Sequence, residues 1–190
     1  DRSKFVRLAE LIEDVQIKSK YTSTNTPVVS LPPEYKPLWE RHTDPEFRNA
    51  FHYLVKRGIT LTDILKYRIG YCDSGQYEGK IIIPSYDDAA NLNYFVARAY
   101  YKDDTLKYKN PSISKNVVGF ELYVDWKQPI VLVEGVFDAI AIRRNAIPLF
   151  GKTISDVLKL RLVEKSVKHI YICLDQDARK QALEAAEYFM

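Results

Sequence analysis

The chain has 190 residues, of which 46% are hydrophobic and 28% charged. That is enough apolar material for one domain, or a domain with a small helical companion, and it excludes a disordered or low-complexity chain. The net charge of +3 is compatible with a nucleic-acid partner but too weak to imply one, and no apolar stretch approaches the length of a membrane span.

Residues 3–18 (SKFVRLAELIEDVQIK) carry apolar side chains at helical spacing and predict an amphipathic helix. Ser19–Pro33 is polar, contains proline and lacks a helical period, so it reads as a linker. A helix start follows at Asp44, with Pro45 in the first turn and Gly58 as the stop. A second short helix, Leu61 to Tyr67, has Thr60 as its cap. The period then changes: "RIGYC", "KIIIPSY" and "LNYFVARAYY" are strand-like, with "DDAAN" as a hairpin connection. "DTLKYKNPSISKN" is basic and irregular.

From Gln128 onward β and α patterns alternate. Strands are expected at 130–133, 147–150 and 169–174, and helices at about 136–144, 155–164 and 178–189. Strands separated by helices imply βαβ crossovers and a parallel sheet. The expected fold class is α/β, an α+β part followed by a parallel βαβ sheet. The expected organisation is an N-terminal helical segment and linker (1–58), a mixed α/β basic subdomain (59–127) and the parallel-sheet domain (128–190).

Two strands run straight into acids: "PIVLVEGVFDAI" reaches Glu134, and "HIYICLDQDARK" reaches Asp175 and Asp177. Ligands of open parallel sheets gather beyond the carboxyl ends of the strands. If these strands are neighbours, three carboxylates share one crevice, and Asp138 lies one helical turn beyond Glu134. Crowded carboxylates raise one another's pKa unless a cation neutralises them, and a hard divalent ion such as Mg2+ is the simplest one. Each half of the pattern has plainer readings. Asp177 can simply cap the last helix, and Asp138 can be an exposed helical acid. A DxD after a strand also suits haloacid-dehalogenase-like phosphatases and nucleotide-sugar transferases, although Arg179 stands where the former carry Thr or Val. The two halves together are far more specific. Between Tyr94 and Lys115, the basic residues Arg98, Lys102, Lys107, Lys109 and Lys115 alternate with aromatic ones, a pattern suited to phosphates and bases. The plainer reading is a solvated hairpin with half its tyrosines in the core. Cys72 and Cys173 lie in apolar runs and read as buried, reduced thiols. With no CxxC and with His42, His52 and His169 scattered, no zinc site is expected within this chain.

"LVEGVFDAIAI" and "YICLDQDARKQALEAA" resemble the two signature segments of the TOPRIM domain. Upstream, "AFHYLVKRGIT…ILKYRIGY", "KIIIPSYDD…NYFVARAY" and "LKYKNPS…K…GFELY" resemble, in order, the catalytic core of bacterial and phage DNA primases. The match runs from about Ala50 to the end of the chain, and the compact "RRNAIPLFGK" segment looks phage-like. The resemblance implies a TOPRIM-type sheet and template-directed synthesis of short RNA primers. Glu134, Asp175 and Asp177 would be catalytic, and with Asp138 they would hold Mg2+, or Mn2+ as a substitute. Lys80, Arg98, Lys107, Tyr108, Asn110 and Lys115 match positions associated with nucleic acid and nucleotides. Implied partners are a single-stranded DNA template, ribonucleoside triphosphates, the RNA–DNA hybrid and, through regions not present here, a replicative helicase. The implied setting is the cytoplasm, with no membrane partner. The sequence departs from the family where Val96 and Ala97 replace the usual glycines, and where "DQDARK" lacks the usual small residues. A TOPRIM nuclease and a non-catalytic replisome adaptor are the alternative readings.

Overall fold

The computed structural model describes residues 29–189, so the helix expected over 3–18 and most of the expected linker lie outside the described residues. Helix α1 (Pro45–Lys56) begins where Asp44 accepts a 2.7 Å hydrogen bond from the Phe47 amide, and it stops at Gly58, whose φ of 73° suits glycine. Helix α2 (Leu61–Lys66) begins with a reciprocal box in which Thr60 and Asp63 satisfy each other's backbone amides.

An antiparallel sheet has the order β1-β2-β3-β4, built from Tyr35–Pro37, Gly70–Cys72, Lys80–Tyr86 and Leu92–Ala99. Strand β1 has only three residues and no readable period, so it was not expected from the sequence. The β3–β4 hairpin turns where Asp87 Oδ1 accepts from the Ala89 and Asn91 amides. Both long strands are buried on both faces. Ile81, Ile83, Tyr94 and Val96 face Leu54 of α1 and Ile64 of α2, whereas Ile82, Phe95 and Ala97 face Cys72 and Tyr77. The two-residue alternation of a strand sorts them.

The basic segment expected to be irregular is pinned along the free edge of β4. The Ala99 amide donates to the Lys107 carbonyl at 3.1 Å, and the Lys109 amide donates to the Ala97 carbonyl at 3.0 Å. Backbone approaches backbone here although Val96 and Ala97 stand where the resemblance leads one to expect glycine.

The second half alternates as expected: β5 (Ile130–Val133), α3 (Val136–Ile142), β6 (Ala146–Pro148), α4 (Asp156–Glu164), β7 (Ile170–Cys173) and α5 (Arg179–Phe189). The sheet is parallel with order β6-β5-β7. One face packs Ile130, Leu132 and Ile147 on Leu158 and Leu162 of α4. On the other, Val133 and the α3 residues Phe137, Ala139 and Ile140 merge with the core beneath the antiparallel sheet. The two sheets thus share one apolar cluster. A polar joint adds to it. Arg161 of α4 donates to the buried Glu121 at 2.8 Å and lies 3.5 Å from Asp88 in the hairpin turn. Burial still holds the Glu121 carboxyl above its usual range, against the pull of Arg161.

One cysteine differs from expectation. Cys72 is buried, but Cys173 is exposed. It lies on β7 at the edge of the sheet, where nothing among the described residues covers it or Tyr171, which is 57% exposed. No helix among the described residues is long and apolar enough to cross a membrane.

Candidate metal centre and adjoining basic face

Strands β5 and β7 are hydrogen-bonded neighbours with Val133 opposite Cys173, so Glu134 and Asp175 emerge at the same end of the sheet. A tight turn, closed by the Ala178 amide donating to the Asp175 carbonyl at 2.9 Å, brings Asp177 to the same place. Carboxylate oxygens of Glu134, Asp175 and Asp177 all lie within 4.8 Å of one another. Asp138 is exposed one turn along α3, folds back over Gly135 and stands outside this triad.

Glu134 is the least exposed of the three, and its Oε2 is buried without a hydrogen-bond partner. Burial pushes its carboxyl above the ordinary range; repulsion from Asp175, Asp177 and Asp138 adds to that, and Lys152 partly opposes it. An orphaned carboxylate oxygen beside two further carboxylates is a donor set that suits a hard divalent cation.

Lys152 was not singled out in the sequence. Its ammonium forms a 2.5 Å ion pair with Asp177, holding that carboxyl below its usual range and raising its own pKa. The available signal was its position, four residues past the end of β6 and on the carboxyl side of the sheet.

The expected nucleic-acid residues fall into three groups. Lys115 reaches the centre's border, donating at 2.9 Å to the Phe150 carbonyl, while the next amide, that of Gly151, bonds the Glu134 carbonyl at 3.3 Å. Beside this loop lies a cavity of about 480 Å³ lined by Lys115, Asn116, Gly151, Thr153, Ser155 and Asp156, among others. Lys107 and Tyr108 are exposed, and the Tyr108 ring lies over the Arg98 guanidinium at 4.5 Å. Arg98 is itself 8% exposed and donates to the Tyr53 hydroxyl at 3.0 Å, and the Asn110 side chain accepts from the Ala97 amide at 3.1 Å. Lys80 stands alone as the third, since it is 4% exposed and ion-paired to Asp104. Tyr94, Phe95 and Tyr100 are core residues, which leaves Tyr101 and Tyr108 as the exposed rings of the stretch. Tyr53 and Arg57 extend the aromatic–cationic face toward α3, with Arg57 lying 5.0 Å over Tyr53 and 4.5 Å from the Phe137 centroid. Their i, i+4 spacing, with Arg57 capping the end of α1, was the sequence signal for them.

An antiparallel sheet with its basic edge segment, joined to a three-stranded parallel sheet with acids at its carboxyl end, is the fold of DNA primase catalytic cores. Among solved structures, a DNA primase domain from Pseudomonas aeruginosa matches with a TM-score of 0.65 and 24% identity, covering 81% of this chain and 62% of that one. The DnaG primase catalytic domain bound to single-stranded DNA matches with a TM-score of 0.64 and 19% identity, covering 77% of this chain and 62% of that one. In sequence, the uncharacterized protein MG010 of Mycoplasma genitalium is 36% identical over 142 residues, 70% of this chain and 64% of that protein. The DNA primase of Thermotoga maritima is 24% identical over 191 residues, 75% of this chain and 34% of that primase. The chain thus spans less than two thirds of each of these relatives. No family model matches it. These sequence relatives are bacterial and lend no support to the phage-like reading of residues 143–152.

Proposed function

We propose that this chain is catalytic material of a DNA primase, joining ribonucleotides into a short primer on a single-stranded DNA template in the cytoplasm. The observation that carries this reading is the convergence of Glu134, Asp175 and Asp177 within 4.8 Å, with one Glu134 oxygen buried and unpartnered. These three would hold Mg2+, with Asp138 close enough to bear on Glu134 electrostatically. The bound ion would supply charge neutralisation at the triphosphate and the attacking oxygen. The chain's own part is positioning: Lys115 at the border of the centre contributes positive charge for phosphates, and the exposed Tyr108 ring, backed by Arg98, offers a face for a template base. Lys80, buried against Asp104, would support the fold of the basic segment rather than contact the template directly. A helicase partner would be reached through regions outside this chain. The likeness to the ssDNA-bound primase catalytic domain supports the choice of template.

The test is primer synthesis on single-stranded DNA with all four ribonucleotides, with and without Mg2+. Short RNA products that require Mg2+ are expected. Nicking of DNA without nucleotides would instead make the chain a nuclease, and DNA binding without metal binding would make it an adaptor.

The basic face has its own expected result. Lys107→Ala and Lys115→Ala should each weaken single-stranded DNA binding and reduce its salt slope by about one phosphate contact. Both side chains are exposed, so thermal melting should hardly change. Affinity measured against salt concentration checks this, and equal slopes for all three proteins would return the segment to a solvated edge.

A further inference from the structure

The acid triad already has a cation tethered at its rim. Lys152 Nζ lies 2.5 Å from Asp177 Oδ2, and the charges of Glu134 and Asp175 act on it as well. Its side chain is 36% exposed and that of Asp177 71%, so the pair sits at the open mouth of the centre and can part without unpacking anything. Beside the same loop is the 480 Å³ cavity, lined by the cation Lys115 and by the side-chain donors Asn116 and Thr153, while the Ser155 hydroxyl in its wall is committed to the Val117 carbonyl at 3.0 Å. The one acid in its wall, Asp156, is paired with Lys159 at 3.3 Å.

A lysine ammonium and a divalent ion cannot share one carboxylate without strong mutual repulsion. A lysine is also a compact charge on a flexible four-carbon stem, able to change partners when one is taken. Resting on the metal-site reading above, we propose that Lys152 is a tethered counter-ion that competes with the divalent cation for Asp177 and, once displaced, turns to the phosphate groups of a triphosphate in the adjoining cavity. Lys152 is thus a positioning residue. It lowers the cost of crowding the acids when no cation is bound, weakens metal binding in the absence of substrate, and couples tight metal binding to the presence of polyphosphate.

The experiment is Mn2+ titration followed by electron paramagnetic resonance, on the parent chain, Lys152→Ala, Lys152→Arg and Asp175→Asn/Asp177→Asn, then repeated with inorganic triphosphate at saturating Mn2+. Lys152→Ala should bind Mn2+ more tightly, on the order of tenfold at low salt, with the gain shrinking as salt is added. Lys152→Arg should restore the parent affinity, which a purely structural lysine would not require. Triphosphate should bind Lys152→Ala several-fold more weakly. Equal Mn2+ affinity in the parent, Lys152→Ala and Lys152→Arg, lost only in the double aspartate variant, would overturn the competition while leaving the metal centre intact. Unchanged triphosphate affinity would overturn the transfer to phosphate. If the parent and Lys152→Ala both bind Mn2+ no better than the double aspartate variant, the metal-site reading fails and the proposal falls with it; if Lys152→Ala alone does so, the competition is overturned and the metal centre stands.

Discussion

A variant carrying Asp175→Asn and Asp177→Asn is expected to lose Mn2+ binding and to lose primer synthesis by more than about 100-fold, while melting no lower than the parent chain. Two of the three converging carboxylates are removed, and Glu134 alone offers too few oxygens for a hard cation. The fold should tolerate the change because both acids are exposed. The ion pair of Asp177 with Lys152 is solvent-facing and therefore contributes little to stability. Glu134 gives the effect a pH dependence. Its folded-state pKa lies above the ordinary 4.5, so the folded protein holds this proton longer than the unfolded chain does. The resulting destabilisation is absent below the ordinary value, grows as pH rises toward the raised one, and is complete above it. Removing Asp175 and Asp177 relieves part of it. Any gain in melting temperature should therefore appear at pH 7 and vanish at about pH 4, below the ordinary carboxyl value. Melting at the two pH values, Mn2+ titration and the primer assay together check the expectation. Unchanged Mn2+ binding would place the metal elsewhere.

Gly119→Ala should damage the fold severely for so small a change, costing about 2–3 kcal/mol by overpacking. For a chain of this size that is a fall of roughly 5–10 °C in melting temperature. A Cβ at Gly119 would stand 2.3 Å from the Pro148 carbonyl oxygen, 2.9 Å from Pro148 Cγ and 3.1 Å from Phe150 Cε2. Backbone is in the way, and backbone on both sides is fixed. The Phe120 amide donates to the buried Ser85 hydroxyl at 2.9 Å, the Val118 carbonyl accepts from Asn93 at 3.0 Å, and the Phe120 ring sits 4.7 Å from that of Tyr67. The obstructed contact is the one that seats the 115–120 loop against the turn after β6. The loss should therefore extend to function, since Lys115 would no longer meet the Phe150 carbonyl. Urea or thermal unfolding measures the stability term, and DNA affinity the other. A melting curve matching the parent's would mean that the two loops are free to separate.

Some of this was local and so was legible in the sequence. The helix starts at Asp44 and Thr60 are set by side chains three residues from the amides they satisfy. The apolar alternation of β3 and β4 assigns each residue to a face, and the βαβ rhythm after Gln128 leaves a parallel sheet as the outcome. The acids at the strand ends were visible for the same reason, because a buried strand that runs into carboxylates has a local signature. Which residues meet was decided by the tertiary structure alone. Glu134 and Asp175 are 41 positions apart and become neighbours only because β7 returns beside β5 rather than outside β6. Lys80 matched a nucleic-acid position by resemblance until the fold buried it on Asp104, and Tyr94 and Tyr100 looked like Tyr108 until packing took them into the core. Cys173 looked buried because its strand is apolar, but the edge position of β7 leaves it in solvent. Lys152 had no motif around it, and its pairing with Asp177 exists because the turn after β6 and the turn after β7 project from the same end of one sheet. A sequence pattern records which face of its own element a residue occupies; which other element lies across from that face is set by strand order and crossover direction, and those are properties of the whole chain.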